Sequence, residues 1–514
     1  MPIPVAPTAP PRPDAGPAEV CRALARQCRG LRSRITEVQR ALPLDGAPRF
    51  SEIRAFLRCD DLQSTGVDLP DGGRVTLAYL QTLADEPQLW SQVTRPLLTG
   101  TVSPSSLPQA EPAATWDRLL HRLLSGWVAL LPEHGPPLTI RMGGLAQRGV
   151  NEPTTERQVM GPKEALVEKL ETNIGLIRNR LRDPALRVEY STVGRRSRIR
   201  VAMLYLGDVA RPELVRLTRR GLRSIAVDFI RTSMDVAALT FQHGWSLFPL
   251  VEQSERPDRV AAALSQGRLA LVVEGSPFAL VVPVTFSDFQ HDGEASLSGP
   301  LVAAYARSLR FLGLFLAVGL PGLYVALLSA NASVLPIPLS LTLSATRLAV
   351  PYPVATEAVI MLILSDVLAE ATTQAASTIG NALAIVGTLI VGQLMVSAQL
   401  ASSLMMIVVA ASVMGSFLTL KFPLSYAPRI WKYVLVVLAA VGGLLGWATG
   451  LLLIAVHLAS LESAGTPYLA PLSGASSLAE ASRVLIRPSR GQTRRRPSKL
   501  RPLQRVAMRP GGRR

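Results

Sequence analysis

From residue 309 to residue 457 apolar blocks dominate the chain, whereas residues 1–300 interleave Leu, Val and Ile with Arg, Glu and Asp. The two halves therefore face different solvents. Leu309–Leu328 has the length of about 20 apolar residues that a helix needs to cross a bilayer. Residues 379–399, 400–419 and 433–457 are further candidate spans, none with a charge in its interior. A shorter stretch, 355–371, carries Glu357, Asp366 and Glu370 and is open to reading as a span or as a re-entrant segment. With an N-terminal half in the cytoplasm, counting 355–371 as a span puts Lys421, Arg429 and Lys432 inside and sends the C-terminal tail out. Omitting it reverses both, so charge counting leaves the side of the tail open unless a segment near 458–472 re-enters the bilayer.

In the first 300 residues the periodicities are those of a globular body. Helical spacing of Leu, Tyr and Val over 51–59, 74–98 and 117–131, and a helical pattern from Val20 to about Arg40, predict a mainly helical first subdomain. From about 160 the pattern alternates. Helices are expected at 162–182, 211–222 and 255–267, with strands at 185–193, 198–207, 223–230, 269–274 and 278–286, an order that argues for an α/β unit; a separate strand is expected earlier, at 136–142. The expected fold class is thus α/β plus membrane α-helical: an N-terminal half of two subdomains, then a transmembrane bundle of four to five spans. The boundaries are a disordered leader at 1–19, a helical soluble subdomain at 20–147, an α/β subdomain at 148–300, the transmembrane domain at 305–460, a short segment at 461–482 and a basic disordered tail at 483–514.

Composition sharpens this division. Hydrophobic residues make up 48% and the formal charge is +17, from 54 Lys and Arg against 37 Asp and Glu. Residues 483–514 hold twelve of the basic residues and no acid, which suits anionic lipid headgroups, and no nucleic acid partner is expected. Cys21, Cys28 and Cys59 lack metal-binding spacing and are expected as reduced thiols. Residues 1–19 are proline-rich without an apolar signal core, so the N-terminal half is expected in the cytoplasm.

Phosphate-cradling, zinc-protease and nucleophile-elbow motifs are all missing, so no enzyme, metal or cofactor is expected. Asp366 and Glu370 are four apart and share a helix face, with Glu357 about two and a half turns earlier. Such acids suit a cation path or gate, or a hydrogen-bonded helix contact; Gln374, one turn on, joins the gating candidates. Pro321 falls within the first span, where it kinks the helix or frees a carbonyl. Gly442, Gly446 and Gly450 recur every four residues and offer a flat strip to another helix, in this chain or a neighbour. In the soluble half, Ser254 is placed to cap a helix beginning Glu255, Arg256, Pro257, Asp258, and Glu274–Pro277 reads as a hairpin turn through Gly275.

Short words recur in fixed order from about 148 to 472: Glu152–Pro153, Thr172–Asn173–Ile174, Arg178, Arg180, Tyr205, Asp208, Glu255–Asp258, Gly267–Arg268 and Glu274–Pro277. In the apolar half they continue with Arg307, Arg310, Leu320–Pro321, Tyr324, Pro351, Pro353, Glu357, Gly387, Gly392–Gln393, Gly465–Tyr468 and Pro471. In this order and spacing they resemble the GerA spore germination family in its A-subunit branch. After Glu370 the family's arginine and proline break are replaced by Ala371–Ala376. The resemblance implies a multi-pass protein of the spore inner membrane, partnered by a transporter-like B subunit and a C lipoprotein. It also implies a homo-oligomer of A subunits forming a nutrient-gated ion channel, with Glu255–Asp258 and Glu274–Gly275 as a subdomain or interface motif. An accessory or scaffold of the dipicolinic acid release machinery is the alternative it allows.

Overall fold

The computed structural model describes residues 44, 48–142, 152–153, 155–156, 161–241, 246–290, 299–374, 392–419, 426–470, 472, 496–497, 500 and 502–504. The leader, the segment at 20–40, Cys21 and Cys28, residues 379–391 of one candidate span and most of the basic tail lie outside them.

The first subdomain is built on a sheet, which corrects the helical expectation. Helix α1 (Phe50–Leu57) precedes strands β1 (Leu62–Asp68) and β2 (Arg74–Leu80). Helix α2 (Glu86–Leu89) continues through a π turn, Trp90–Thr94, into α3 (Arg95–Leu98); then follow β3 (Glu111–Pro112), α4 (Trp116–Leu123), β4 (Trp127–Pro132) and β5 (Leu138–Arg141). The strands form one antiparallel sheet, β1-β2-β4-β5-β3. Helices cover both faces: Ile53, Leu57, Leu119 and Leu123 pack with Ala78, Leu80, Ala129 and Leu131, while Leu89, Val93 and Leu97 pack with Val75, Leu77, Val128 and Leu130. Strands buried on both faces lose the alternation that marks a half-buried strand. That is why 74–80 and 127–132 pass for helix in the sequence.

The second subdomain keeps the expected alternation, with antiparallel pairing throughout. It contains α5 (Leu170–Arg180), β6 (Leu186–Val193), β7 (Ile199–Leu206), α6 (Pro212–Ser224), α7 (Ser233–Phe241), β8 (Glu252–Ser254), α8 (Pro257–Ser265), β9 (Leu269–Val273), β10 (Ala279–Val282) and the short α9 (Phe286–Phe289). The sheet order is β6-β7-β9-β10-β8. Helices α5 and α8 cover one face and α6 and α7 the other. The strand expected at 223–230 is the end of α6 followed by non-strand backbone.

One buried ion pair joins the two sheets. Arg178 of α5 donates from Nε and Nη2 to the two Asp61 carboxylate oxygens at 2.8 Å each, with the side chains 1% and 0% exposed. Thr82 Oγ1 adds a bond to Asp61 at 2.9 Å. Burial works against the guanidinium charge, but the Asp61 carboxylate outweighs it and holds Arg178 above the usual arginine range. The Cys59 thiol, a free cysteine pushed up by burial, donates to the Leu57 and Leu186 carbonyls beside it.

Beyond Gly299 the chain is helical: α10 (Pro300–Ser329), α11 (Ile337–Ala345), α12 (Val354–Gln374), α13 (Ser403–Thr419) and α14 (Tyr426–Ser460). The expectation of four to five spans includes residues 379–391, outside the described residues; among the described residues two helices are long and apolar enough to cross a membrane, Leu301–Ser329 and Tyr426–Ser460. The second is folded in half. Gly443 adopts φ 57° and ψ −138°, and the chain doubles back there. Trp431 and His457 rings lie 5.7 Å apart, although a straight helix would separate them by about 39 Å. Each arm, 426–442 and 444–460, is about 25 Å long.

Both ends of this hairpin meet the soluble body. Ala427, Trp431 and Leu458 share an apolar cluster with Phe248, Phe286 and Tyr468. The far end is the turn, where Leu444 N donates to Asn331 Oδ1 at 2.9 Å. After α14, β11 (Glu462–Ser463) and β12 (Thr466–Pro467) pair, and Ser463 Oγ bonds the Leu250 carbonyl and the Val284 amide. Part of the tail expected to be disordered is also placed: Leu500 is buried and Leu503 N donates to the Val209 carbonyl.

Candidate functional site

The apolar half is organised around α10. Pro321 has no N–H, so the Ala317 carbonyl four residues earlier has no intrahelical donor. That carbonyl accepts from Ser412 Oγ of α13 at 2.9 Å, the freed-carbonyl outcome anticipated for Pro321. One turn before Ala317 and one turn after Ser412, the helices touch backbone to backbone: a Cβ at Gly415 would collide with the Gly313 carbonyl oxygen, and one at Gly313 would meet Leu418. The sequence pattern missed this glycine pair because its members lie on different segments. The strip it did single out packs within α14. A Cβ at Gly446 would strike the Leu438 carbonyl of the first arm and one at Gly450 would press on Leu435 and Leu438, while Gly442 faces open space.

The acids of α12 sit at opposite ends of the helix, each with partners. Glu357, 1% exposed, accepts from Ser402 N and Oγ at 2.7 and 2.8 Å and from Arg347 Nε at 3.2 Å. Ser402 Oγ in turn accepts from Met405 N, so the carboxylate supports the N-terminal turn of α13, where the helix dipole favours an anion. Asp366 and Glu370 lie at the end nearer the soluble body. Lys432 Nζ donates to Asp366 Oδ1 at 2.7 Å and Tyr433 OH to Oδ2 at 2.6 Å, while Arg429 approaches Glu370 at 3.7 Å. The cation missing after Glu370 in the sequence is therefore supplied by the first arm of the hairpin. Helix α12 also runs unbroken to Gln374, whose side chain lies outside the described residues. Lys432, Tyr433, Arg347 and Ser402 escaped a sequence reading because each is 45 or more residues from its acid, or stands in a loop.

Glu357 thus joins a closed network while Asp366 and Glu370 remain partly exposed, 26% and 47% at their side chains. Glu357→Gln should lower the unfolding free energy by about 3 kcal/mol, the low end for breaking a buried pair because Arg347 keeps some solvent contact. Thermal unfolding of the solubilised full chain measures this, and an unchanged midpoint would show that the carboxylate is not what holds α13.

The soluble motif residues are likewise paired. Arg256 is the N-cap of α8 and binds Asp258 from Nε and Nη2 at 3.1 and 2.8 Å, with Pro257 in the first turn as expected. Ser254 does not cap the helix, because it ends β8, accepts from Arg256 N and donates to Glu156. Glu255 is buried and accepts from Thr155 N. Glu274 holds Arg200 with Glu171 at the surface, and Gly275 turns the hairpin at φ 78°. Nearby, Arg268 links Glu252 and Asp288 in a buried row of charges. Among the described residues no group of three or more His, Cys, Asp or Glu is placed to hold a metal ion.

A two-sheet α+β body followed by an apolar helical half with charge pairs between its helices defines a class, and the comparisons identify it. Residues 52–499 match the family model described as Bacillus/Clostridium GerA spore germination protein, and the chain belongs to that family. It is 32% identical to spore germination protein KA of Bacillus subtilis (strain 168) over 364 residues, 71% of this chain and 67% of that protein. It is 30% identical to spore germination protein GerLA of Bacillus cereus over 438 residues, 84% of this chain and 88% of that one. The crystal structure of the N-terminal domain of the A subunit of the Bacillus megaterium spore germinant receptor GerK3 aligns at 22% identity and a TM-score of 0.34, covering 46% of this chain and 93% of that one.

Proposed function

We propose that this chain is the A-type subunit of a spore germinant receptor. In that reading it assembles as an oligomer in the spore inner membrane, with a transporter-like B subunit and a C lipoprotein, and its apolar helices line an ion path that opens in response to nutrients. Family membership supports the receptor role. The observation that carries the ion path is the double contact of Asp366 with Lys432 and Glu370 with Arg429, between α12 and a hairpin arm. Charges in an apolar setting are costly unless paired or wetted, and pairs between separate helices can be parted when those helices move. The hairpin returns both of its ends to the body, which supports placing Arg429 and Lys432 on the same, cytoplasmic, side as Arg496, as the positive-inside rule favours.

The test is potassium flux through liposomes holding the full-length chain with its partner subunits. Asp366→Asn and Glu370→Gln should change flux by about tenfold or more, because each leaves a cation facing the path. Equal flux at equal protein abundance would remove both acids from it. No flux from any variant, the unsubstituted chain included, would favour a scaffold role.

A further inference from the structure

The sequence 483–514 reads as a featureless basic run, yet part of it occupies a defined groove on the soluble body. Arg496 Nε donates to the Ser265 carbonyl at 2.8 Å at the end of α8, and its Nη1 donates to the Gln504 carbonyl at 3.0 Å. Gln504 Nε2 donates to Asp208 Oδ2 at 2.8 Å, and Leu503 N to the Val209 carbonyl at 2.9 Å. Between these anchors Leu500 is 3% exposed and Pro502 is buried beside Gly267.

The contact is small and lies close to the apolar half. It rests on two buried apolar side chains and a few hydrogen bonds, and the Arg496 guanidinium is dehydrated in it: burial pushes that group below the usual arginine range, with Asp208 and Asp183 pulling the other way. The groove also lies close to the apolar half. Arg211, two residues after Val209, donates to the Ala464 and Gly465 carbonyls, four and five residues beyond the end of α14. Four extended residues reach at most about 14 Å. Arg496 and its described neighbours, part of a run with twelve cations and no acid, are therefore held within roughly one to two Debye lengths of the end of α14.

We propose that Arg496, Leu500 and residues 502–504 form a releasable latch, docked on the groove between Asp208–Val209 and Ser265–Gly267 and drawn off it by an anionic lipid surface. Docking and headgroup binding compete for Arg496, so the lipid composition beneath the protein sets whether the α8–β9 corner is covered.

Hydrogen exchange on the full-length chain tests this, in nanodiscs of phosphatidylcholine and in discs with one part phosphatidylglycerol to two of phosphatidylcholine. The amide of Leu503 should be protected in neutral discs and lose about tenfold of that protection in anionic ones. It should recover in anionic discs near 1 M salt, where the Debye length falls to about 3 Å. Leu500→Asp should expose Leu503 in both discs, showing that its protection reports docking. Equal protection in both discs would make the segment a fixed part of the fold, and equal exposure in both would remove the docked state; either overturns the latch.

Discussion

Replacing Asp61 with Asn should cost the protein about 3–5 kcal/mol, the range for leaving one member of a buried ion pair alone. Arg178 would keep its charge at 1% exposure, with one of its two charge-assisted bonds lost and no water to replace it. Domains have roughly 5–15 kcal/mol in total, so the loss is a large part of what holds the subdomains together. Unfolding of the full-length solubilised chain in denaturant, followed by tryptophan emission, measures it. Asp61→Leu with Arg178→Met should recover much of the loss, because a well-packed apolar pair avoids the dehydration of both charges. Failure of the double variant to recover would place the cost in packing. As a contrast, Glu274→Gln, breaking a pair with Arg200 in which both side chains are over 40% exposed, should cost less than about 1 kcal/mol.

The second large effect concerns the turn in α14. Gly443 combines φ 57° with ψ −138°, a region open essentially to glycine alone, and a Cβ there would also collide with the Asn331 side-chain oxygen. Gly443→Val should destabilise the protein by about 3 kcal/mol or more from backbone strain and the clash together. A topological experiment reads the same feature. With Cys21 and Cys28 changed to Ser and the buried Cys59 left in place as an unreactive background, cysteines introduced one at a time at Tyr426 and Ser460 should both react with an impermeant maleimide from the side of the soluble half, and one at Val334 from the opposite side. Labelling of 426 and 460 from opposite sides would mean that α14 crosses as one straight rod.

Sequence and structure agree where one face or one turn decides the outcome. Strands β6, β7, β9 and β10 were legible from β-rich runs and from Gly275, which turns the last hairpin. Helix α8 was legible from Pro257 and Asp258. Strands β2 and β4 were not, because helices bury both of their faces and remove the period-two signal. The acids of α12 stood out as charges in apolar sequence. Their partners did not, because Lys432 is 66 residues from Asp366 and only the folded chain brings the two together. The fold at Gly443 was hidden as well, since one more glycine in a Gly-rich apolar helix carries no mark of its conformation.

Pro321 has an effect beyond its own helix. Its orphaned Ala317 oxygen is held by Ser412, and one turn away Gly313 and Gly415 leave no room for side chains between the backbones. Sliding α13 along α10 would strand that oxygen in an apolar interior and drive Leu418 into the neighbouring helix. The two helices are therefore held in register along this seam, and both arms of α14 are held to α10 as well, where Gly322 lies against Leu435 of the first arm and Trp447 Nε1 of the second donates to the Gly319 carbonyl.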